Sequence, residues 1–201
     1  MNVKFLYVMA VPIEYGPCLR QKIEPELIGV GPIEAGINLT AILARKENLG
    51  EMPDLVISLG SAGSRHLAQA EVYQVTEISY RDMDATPLGF DKGVTPYADY
   101  PAKINLPCRI PGIPEATLST GANIVSGRAY DDIDADMVDM ETYAIWRVCD
   151  KFKLPLIGLR GISDGKTELN HISGWTAYLD IIDRKLSDAV CLLEKYFLGK
   201  I

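Results

Sequence analysis

Short apolar runs alternate along the chain with longer segments in which apolar residues recur at helical spacing. Short apolar runs are typical of strands buried in a sheet, and a spacing of three and four residues is typical of a helix packed on one face. The pattern predicts strands at residues 3–9, 27–30, 54–59, 72–80, 116–120, 137–140 and 156–159, and helices at 32–49, 141–153 and 175–197. It therefore predicts an α/β fold.

Residues 135–164 contain two of these strands and the helix between them, with an acid after each strand. Glu141 follows the first strand, and Asp164 follows the second after a turn that carries Arg160 and Ser163. Open α/β sheets bind ligands beyond the carboxyl ends of their strands, so we expect both acids to face one crevice. Each acid also has a plainer interpretation, Glu141 as a first-turn acid facing the helix dipole and Asp164 as a turn residue or helix N-cap.

Composition narrows the possible functions. The 201 residues are 48% hydrophobic and 23% charged, with no linker or repeat, which predicts one domain spanning residues 1–201. A net charge of -7 argues against nucleic acid or an anionic membrane as partner, because phosphate groups would be repelled. The apolar start is interrupted by Lys4 and ended by Pro12, so it is too short for a membrane span or signal sequence. Four scattered cysteines suggest neither a zinc site nor disulfides, and we expect a cytoplasmic protein.

Two other strand ends carry candidate residues. Glu14 lies at a strand-to-helix turn, and Ser61 lies in the segment GSAGS after the strand at 54–59. Small residues there allow backbone N–H groups to approach a ligand, although a solvated acid and a tight turn without a ligand explain the same residues. Asp82 and Asp84 do not continue into the ligand spacing of a calcium loop, so no metal site is predicted.

Several segments together resemble one known family. VDMETYA at 138–144 and LRGISD at 159–164 resemble signatures of the nucleoside phosphorylase and nucleosidase superfamily, in particular its methylthioadenosine/S-adenosylhomocysteine nucleosidase branch. AVPIE, GVGPIEAG, GSAG and RDMDATPLGF resemble further segments of that branch. The resemblance implies a three-layer α/β/α sandwich around a mixed β-sheet and hydrolysis of the N-ribosidic bond of an adenine nucleoside such as methylthioadenosine or S-adenosylhomocysteine. It also implies a homodimer that needs no metal or organic cofactor.

The resemblance implies roles for individual residues as well. Asp164, held by Arg160 and Ser163, would protonate N7 of the leaving purine, and its carboxyl group would accept a hydrogen bond from the 6-amino group. Glu14 would activate the attacking water, and Glu141 would accept the ribose hydroxyls. The other implied contacts are Met140 at the sugar, Ser61, Ala62 and Gly63 at the strand end, Ile124 and Val125 at the base, and Val11, Val30, Trp175 and the partner's Leu88 at the 5' group.

Three features depart from the family pattern. Phosphorylase relatives carry a phosphate-binding arginine at the position of Ser58, so its absence favours water over phosphate as the nucleophile. Gly29 follows Glu14 by only fifteen positions, which shortens one wall of the pocket. Ile124 replaces an aromatic residue that stacks on the base. Two alternatives stay open: a phosphorolytic enzyme of the same fold, and a catalytically silent nucleoside-binding protein, against which the three retained acids argue.

Overall fold

Strands and helices account for most of the chain outside one long loop at residues 81–102. The computed structural model describes residues 3–199. The strands are β1 Phe5–Met9, β2 Glu26–Leu27, β3 Leu55–Gly63, β4 Val72–Tyr80, β5 Lys103–Asn105, β6 Glu115–Thr120, β7 Met137–Asp139 and β8 Leu156–Asp164. The α-helices are α1 Pro17–Arg20, α2 Gly31–Leu49, α3 Thr142–Lys151, α4 Ile172–Thr176 and α5 Leu179–Leu198, and 3-10 turns occupy Pro12–Glu14, Thr86–Leu88 and Gly127–Asp132.

These strands join one mixed sheet. β1 is parallel to β2 and β3, and β3 is parallel to β8. β8 is antiparallel to β4, which pairs in parallel with β6 and antiparallel with β5. β6 is parallel to β7, and β7 pairs with the end of β3 at Gly63. β3, β8, β4, β6 and β7 thus close into a ring, and β1, β2 and β5 extend the sheet outside it.

Helices cover both sides of the sheet. Because successive strand residues point to opposite faces, Val56 of β3 packs in a core with α2 and α3, whereas Ile57 packs in a second core with α1 and α5. Leu39 of α2 and Leu186 of α5 lie at the centres of these cores and are fully buried. The predicted α/β fold, a three-layer α/β/α sandwich around a mixed sheet, is confirmed.

Several element boundaries differ from the predicted ones. β2 ends at Leu27, and the N–H groups of residues 28 and 29 only add hydrogen bonds to the carbonyl oxygens of Met9 and Ala10 at the end of β1. β3 continues four residues beyond its predicted end at residue 59, through the GSAG segment, because residues 60–63 pair with the end of β8. The predicted closing helix is divided into α4 and α5, and the short elements α1 and β5 were not predicted.

The structure also describes the cysteines and the helices, which concern the expectations about disulfides and membrane spans. All four cysteines are free, and Cys149 is buried in α3. Within residues 3–199, none of the helices combines the length and the apolar character that crossing a membrane requires.

Candidate active site

A cavity of about 530 Å³ opens beside the carboxyl ends of β3, β7 and β8. Its volume falls in the range of roughly 300–1,000 Å³ that small-molecule sites occupy. Its wall includes most of the residues that the sequence indicates: Val11, Glu14, Val30, Ser61, Ala62, Gly63, Ile124, Val125, Met140, Glu141, Ser163, Asp164 and Trp175. Arg160 and Leu88 are not part of this wall. The structure therefore brings the three candidate catalytic acids into one cavity.

Glu14 is held at the end of β3 by Ser61. Its side chain is only 7% exposed, and its Oε1 accepts hydrogen bonds from the backbone N–H of Ser61 at 2.8 Å and from the Ser61 hydroxyl at 2.6 Å. Burial raises the pKa of Glu14, although the hydrogen bonds from Ser61 and the charge of Arg160 act in the opposite direction. The Ser61 hydroxyl oxygen also accepts a hydrogen bond from Nε1 of Trp175 at 2.9 Å. The indole beside the cavity is thereby linked to the acid.

Glu141 faces the cavity from the start of α3, where it is the N-cap residue. Its Oε1 accepts a hydrogen bond from the backbone N–H of Gly31 at 2.9 Å. Gly31 opens α2 with a φ of +87°, a left-handed conformation that favours glycine. Burial, and after it the nearby charge of Asp139, raises the pKa of Glu141 to about 7. This carboxyl group therefore titrates near neutral pH.

Asp164 reaches the cavity because the pairing of β3 and β8 shifts by one residue. Ala62 pairs with Ile162, but Gly63 pairs with Asp164, so Ser163 is an extra residue in β8. The Ser163 hydroxyl donates a hydrogen bond to Oδ1 of Asp164 at 2.6 Å. Burial raises the pKa of Asp164, and the bond from Ser163 opposes this in part. Asp164 is thus suited to hold a proton at a higher pH than a surface aspartate does.

Arg160 does not hold Asp164, contrary to the expectation from the sequence. Its guanidinium group contacts Asp139 Oδ2 at 3.1 Å and donates to Ser58 Oγ at 2.9 Å and to Thr142 Oγ1 at 2.7 Å. The extra residue in β8 is the reason, because it turns Asp164 to the opposite face of the strand from Arg160. Arg160 is 2% exposed and supports the cavity from below, at the junction of β7 and α3.

Apolar side chains form the outer part of the cavity. Val30 is 50% exposed and Ile124 is 65% exposed although both lie in the wall. Leu88 is 77% exposed and does not reach the cavity of its own chain. Leu169 and Ile172 add to the same apolar surface, and no pattern in the sequence indicates that they lie there.

Arg81 also lies in the wall, and its position was not predicted. It donates hydrogen bonds to the backbone carbonyl oxygens of Ser119, Gly121, Asn123 and Asp139. These bonds fix the segment that carries Ile124 and Val125. The position of a basic residue directly after a strand could have pointed to Arg81. Nothing in the sequence, however, indicates that backbone carbonyl groups are its hydrogen-bond partners.

Together, the geometry supports proton transfer between a bound molecule and buried acids. Asp164 and Glu141 lie in the wall with raised pKa values, and Glu14 lies beside a serine that donates two hydrogen bonds to it. Within residues 3–199, no cluster of three or more His, Cys, Asp or Glu side chains has the arrangement of a metal site.

Comparison with known proteins agrees with this geometry. The family model described as the phosphorylase superfamily matches residues 26–180. The chain belongs to the phosphorylase superfamily. The match to the superfamily covers Ser61, Glu141 and Asp164 but begins after Glu14, whose place in the site is known from the structure.

One similar member of the superfamily is the 5'-methylthioadenosine/S-adenosylhomocysteine nucleosidase of Baumannia cicadellinicola, 31% identical over 72% of this chain and 69% of its own. A putative nucleosidase of the same name from Borrelia burgdorferi, bound to adenine, has a TM-score of 0.79 and 18% identity over 96% of this chain and 99% of its own. Futalosine hydrolase of Helicobacter pylori also has a TM-score of 0.79 and 18% identity, over 96% and 98%. At these identities the two structures show the shared fold alone.

Proposed function

We propose that the protein is a purine nucleosidase that hydrolyses the N-ribosidic bond of an adenine nucleoside, such as 5'-methylthioadenosine or S-adenosylhomocysteine, and releases adenine. The similarity to a nucleosidase at 31% identity supports this function. The observation that carries it is the position of the Glu14 carboxylate at the end of β3, because this position decides which nucleophile the site can use.

Glu14 favours water over phosphate as the nucleophile. The N–H and hydroxyl groups of Ser61 are the donors that an anion at this strand end would need, and both already donate to Glu14. A phosphate dianion would also be repelled by a carboxylate at this position. The Arg160 guanidinium, whose charge acts on Glu14, is buried and paired with Asp139. A water molecule, in contrast, can donate a hydrogen bond to Glu14 and lose its proton to that carboxylate as the new C–O bond forms.

Asp164 acts as the general acid. Cleavage of the N-ribosidic bond leaves negative charge on the purine, and a proton delivered to N7 neutralises it. Burial raises the pKa of Asp164, so its carboxyl group keeps this proton at a higher pH than an ordinary aspartate does. The carboxyl group can also accept a hydrogen bond from a 6-amino group, which favours adenine as the base.

Glu141 binds the sugar. Its carboxyl group accepts hydrogen bonds from the ribose hydroxyls, while Met140 packs against the ring. As the sugar becomes positively charged in the transition state, the negative charges of Glu141 and Glu14 stabilise it. The proposed cycle therefore needs only the side chains of this chain and water.

The apolar part of the cavity binds the base and the 5' group. Ile124 packs on the purine, and the backbone at Val125 meets its edge. Val11, Val30 and Trp175 line the part assigned to the 5' group. A methylthio group suits these surroundings better than a charged substituent does, because an unpaired charge would be desolvated there.

We further propose that the protein is a homodimer in which Leu88 of one subunit completes the apolar wall of the other. Leu88 and Ile33 are 77% and 73% exposed, values that favour burial against another surface. Light scattering on a gel-filtration column should give the mass of two chains. A Leu88→Asp variant should shift that mass towards one chain, whereas two-chain mass in the variant would remove Leu88 from the interface.

The function is tested by measuring free base released from adenosine, 5'-methylthioadenosine, S-adenosylhomocysteine and futalosine, each with and without inorganic phosphate. Release of adenine and free sugar without phosphate is the expected result, and the ranking of substrates defines the 5' pocket. Release only with phosphate would make the protein a phosphorylase. Binding of the adenine nucleosides without release would make it a silent nucleoside-binding protein, and release from futalosine alone would exclude adenine as the base.

A further inference from the structure

Tyr130 has a buried hydroxyl group that the proposed reaction does not use. It lies in the 3-10 turn Gly127–Asp132, is 8% exposed, and packs with Val125 and Val138. Within residues 3–199, the hydroxyl has no hydrogen-bond partner. Burying such a group without a partner is unfavourable, so its position calls for an explanation.

The hydroxyl lies next to the carboxyl group of Asp164, above Gly63. A Cβ atom on Gly63 would clash with the Tyr130 oxygen and would stand 2.9 Å from Oδ2 of Asp164. The glycine therefore makes room for the Tyr130 hydroxyl on the side where Oδ2 of Asp164 lies. Ser163 donates to Oδ1, but among the described residues no donor reaches Oδ2. The Tyr130 hydroxyl, a donor without an acceptor, thus lies close to Oδ2 of Asp164, an acceptor without a donor.

We propose that Tyr130 is a positioning residue for Asp164, whose hydroxyl donates a hydrogen bond to Oδ2 as the carboxyl group gives its proton to the leaving base. This inference rests on the nucleosidase function proposed above. The proton moves from Asp164 to a purine nitrogen, and the phenol keeps its own proton. Each oxygen of the resulting carboxylate then has one hydroxyl donor, Ser163 at Oδ1 and Tyr130 at Oδ2.

The charges around Tyr130 agree with this role. Arg65 lies over the phenol ring, 5.4 Å from its centroid, and Arg81 and Asp164 are the other charged groups that face it. Burial, and after it the charge of Asp164, raises the pKa of Tyr130 far enough to outweigh the two arginines. The phenol therefore stays protonated, and able to donate, across the neutral range.

The test is the pH dependence of kcat/KM in a Tyr130→Phe variant, which removes one oxygen and keeps the ring. A hydrogen bond to the ionised form lowers the pKa of a carboxyl group, so its loss should raise the pKa of Asp164. We expect the alkaline limb of the profile to move up by about one pH unit and kcat to fall about tenfold, with KM changed less than about twofold. Tyr7→Phe, which removes another partly buried phenol hydroxyl bonded to Glu194, should leave the profile unchanged.

If the alkaline limb of the kcat/KM profile is unchanged in Tyr130→Phe, the inference is wrong. A lower melting temperature alone would show only that Tyr130 contributes to packing. If the wild-type protein releases no base, the proposed function fails and the contact is tested separately. Tyr130→Phe and Asp164→Asn would then be combined, and their urea unfolding midpoints compared at alkaline pH. Non-additive shifts support the contact, and additive shifts exclude it.

Discussion

The floor and the rim of the cavity are built in different ways. The floor consists of the polar residues at the strand ends. These are Glu14, Ser61, Glu141, Ser163 and Asp164. Each makes a hydrogen bond to a backbone group or to another floor residue, and beneath them a buried ion pair joins Arg160 to Asp139.

The rim consists of apolar side chains that are at least half exposed, namely Val30, Ile124 and Ile172. They lie at the start of α2, after β6 and at the start of α4. No hydrogen bond fixes an aliphatic side chain, and these have few neighbours to pack against. A substrate or a second subunit would complete their surroundings.

This difference separates two kinds of function. Burial on the floor shifts pKa values, so the floor governs proton transfer and its dependence on pH. Exposure on the rim leaves apolar area to be covered, so the rim governs affinity and association. Substitutions in the floor should therefore alter kcat or stability, and substitutions in the rim should alter KM.

The largest effect is expected from Asp164→Asn. Asparagine keeps the shape of the side chain but has no acidic proton, so kcat should fall at least about a thousandfold. The circular dichroism spectrum and melting curve should stay close to wild type. Asp188→Asn, the same exchange at an exposed position of α5, is the matched control and should keep full activity. Wild-type turnover in Asp164→Asn would refute the acid role.

Arg160→Met should break the support beneath the floor. It leaves the carboxylate of Asp139 buried without its cation, and breaking a buried ion pair costs about 3–5 kcal/mol of the free energy of unfolding. Urea denaturation measures this loss. Arg184→Met, on the exposed side of α5, should cost little. Adding Asp139→Asn to Arg160→Met should recover part of the lost stability. If Arg160→Met proves as stable as Arg184→Met, the ion pair between Arg160 and Asp139 has no structural role.

Glu141 should make the ligand-free protein less stable as pH rises. Its pKa is about 7 in the folded protein against an ordinary value of 4.5, so between these values the folded state holds a proton that the unfolded state has lost. The stabilisation is fully present below about pH 4.5 and is lost as pH rises through 7, by on the order of 3 kcal/mol. Unfolding free energies at pH 5, 6, 7 and 8 measure the slope. Glu141→Gln should flatten it and exposed Glu24→Gln should not.

The smallest effect is expected at the rim, from Val30→Ala. Removing two methyl groups from the 5' pocket should raise KM for 5'-methylthioadenosine about fivefold, since each fully buried methylene contributes about 0.8 kcal/mol and only the exposed half of Val30 is left for the ligand to cover. The kcat should stay within about twofold of wild type, and KM for adenosine should change less. Ile37→Ala, on the same helix but outside the cavity wall, serves as the control. A fall in kcat without a change in KM would contradict the division between floor and rim.

Much of the fold could be predicted because apolar runs and helix ends are local signals. The start of α2 at Gly31 and its end at Gly50 follow from the conformations that glycine adopts readily. The positions of Glu141 and Asp164 in one crevice follow from the rule that ligands bind at the carboxyl ends of strands. In these cases residues close together in the sequence determine the geometry.

The remaining features depend on pairing between distant segments. Ser163 is an extra residue only because the register between β3 and β8 shifts by one residue there. This shift places Arg160 and Asp164 on opposite faces of β8. The length of β3 depends on the same pairing. The contact of Tyr130 with the space above Gly63 joins a turn to a strand more than sixty residues away. No local pattern records such contacts.

The hydrogen bond between Trp175 and Ser61 has a practical consequence. The chain contains two tryptophans, and the other, Trp146 on α3, packs against Tyr143 of the same helix and Tyr100 of the long loop and is not part of the cavity wall. In a Trp146→Phe variant, all tryptophan fluorescence would come from an indole whose N–H is bonded inside the cavity. Its emission would then follow occupation of the cavity by unlabelled molecules in real time. The protein carries its own optical reporter.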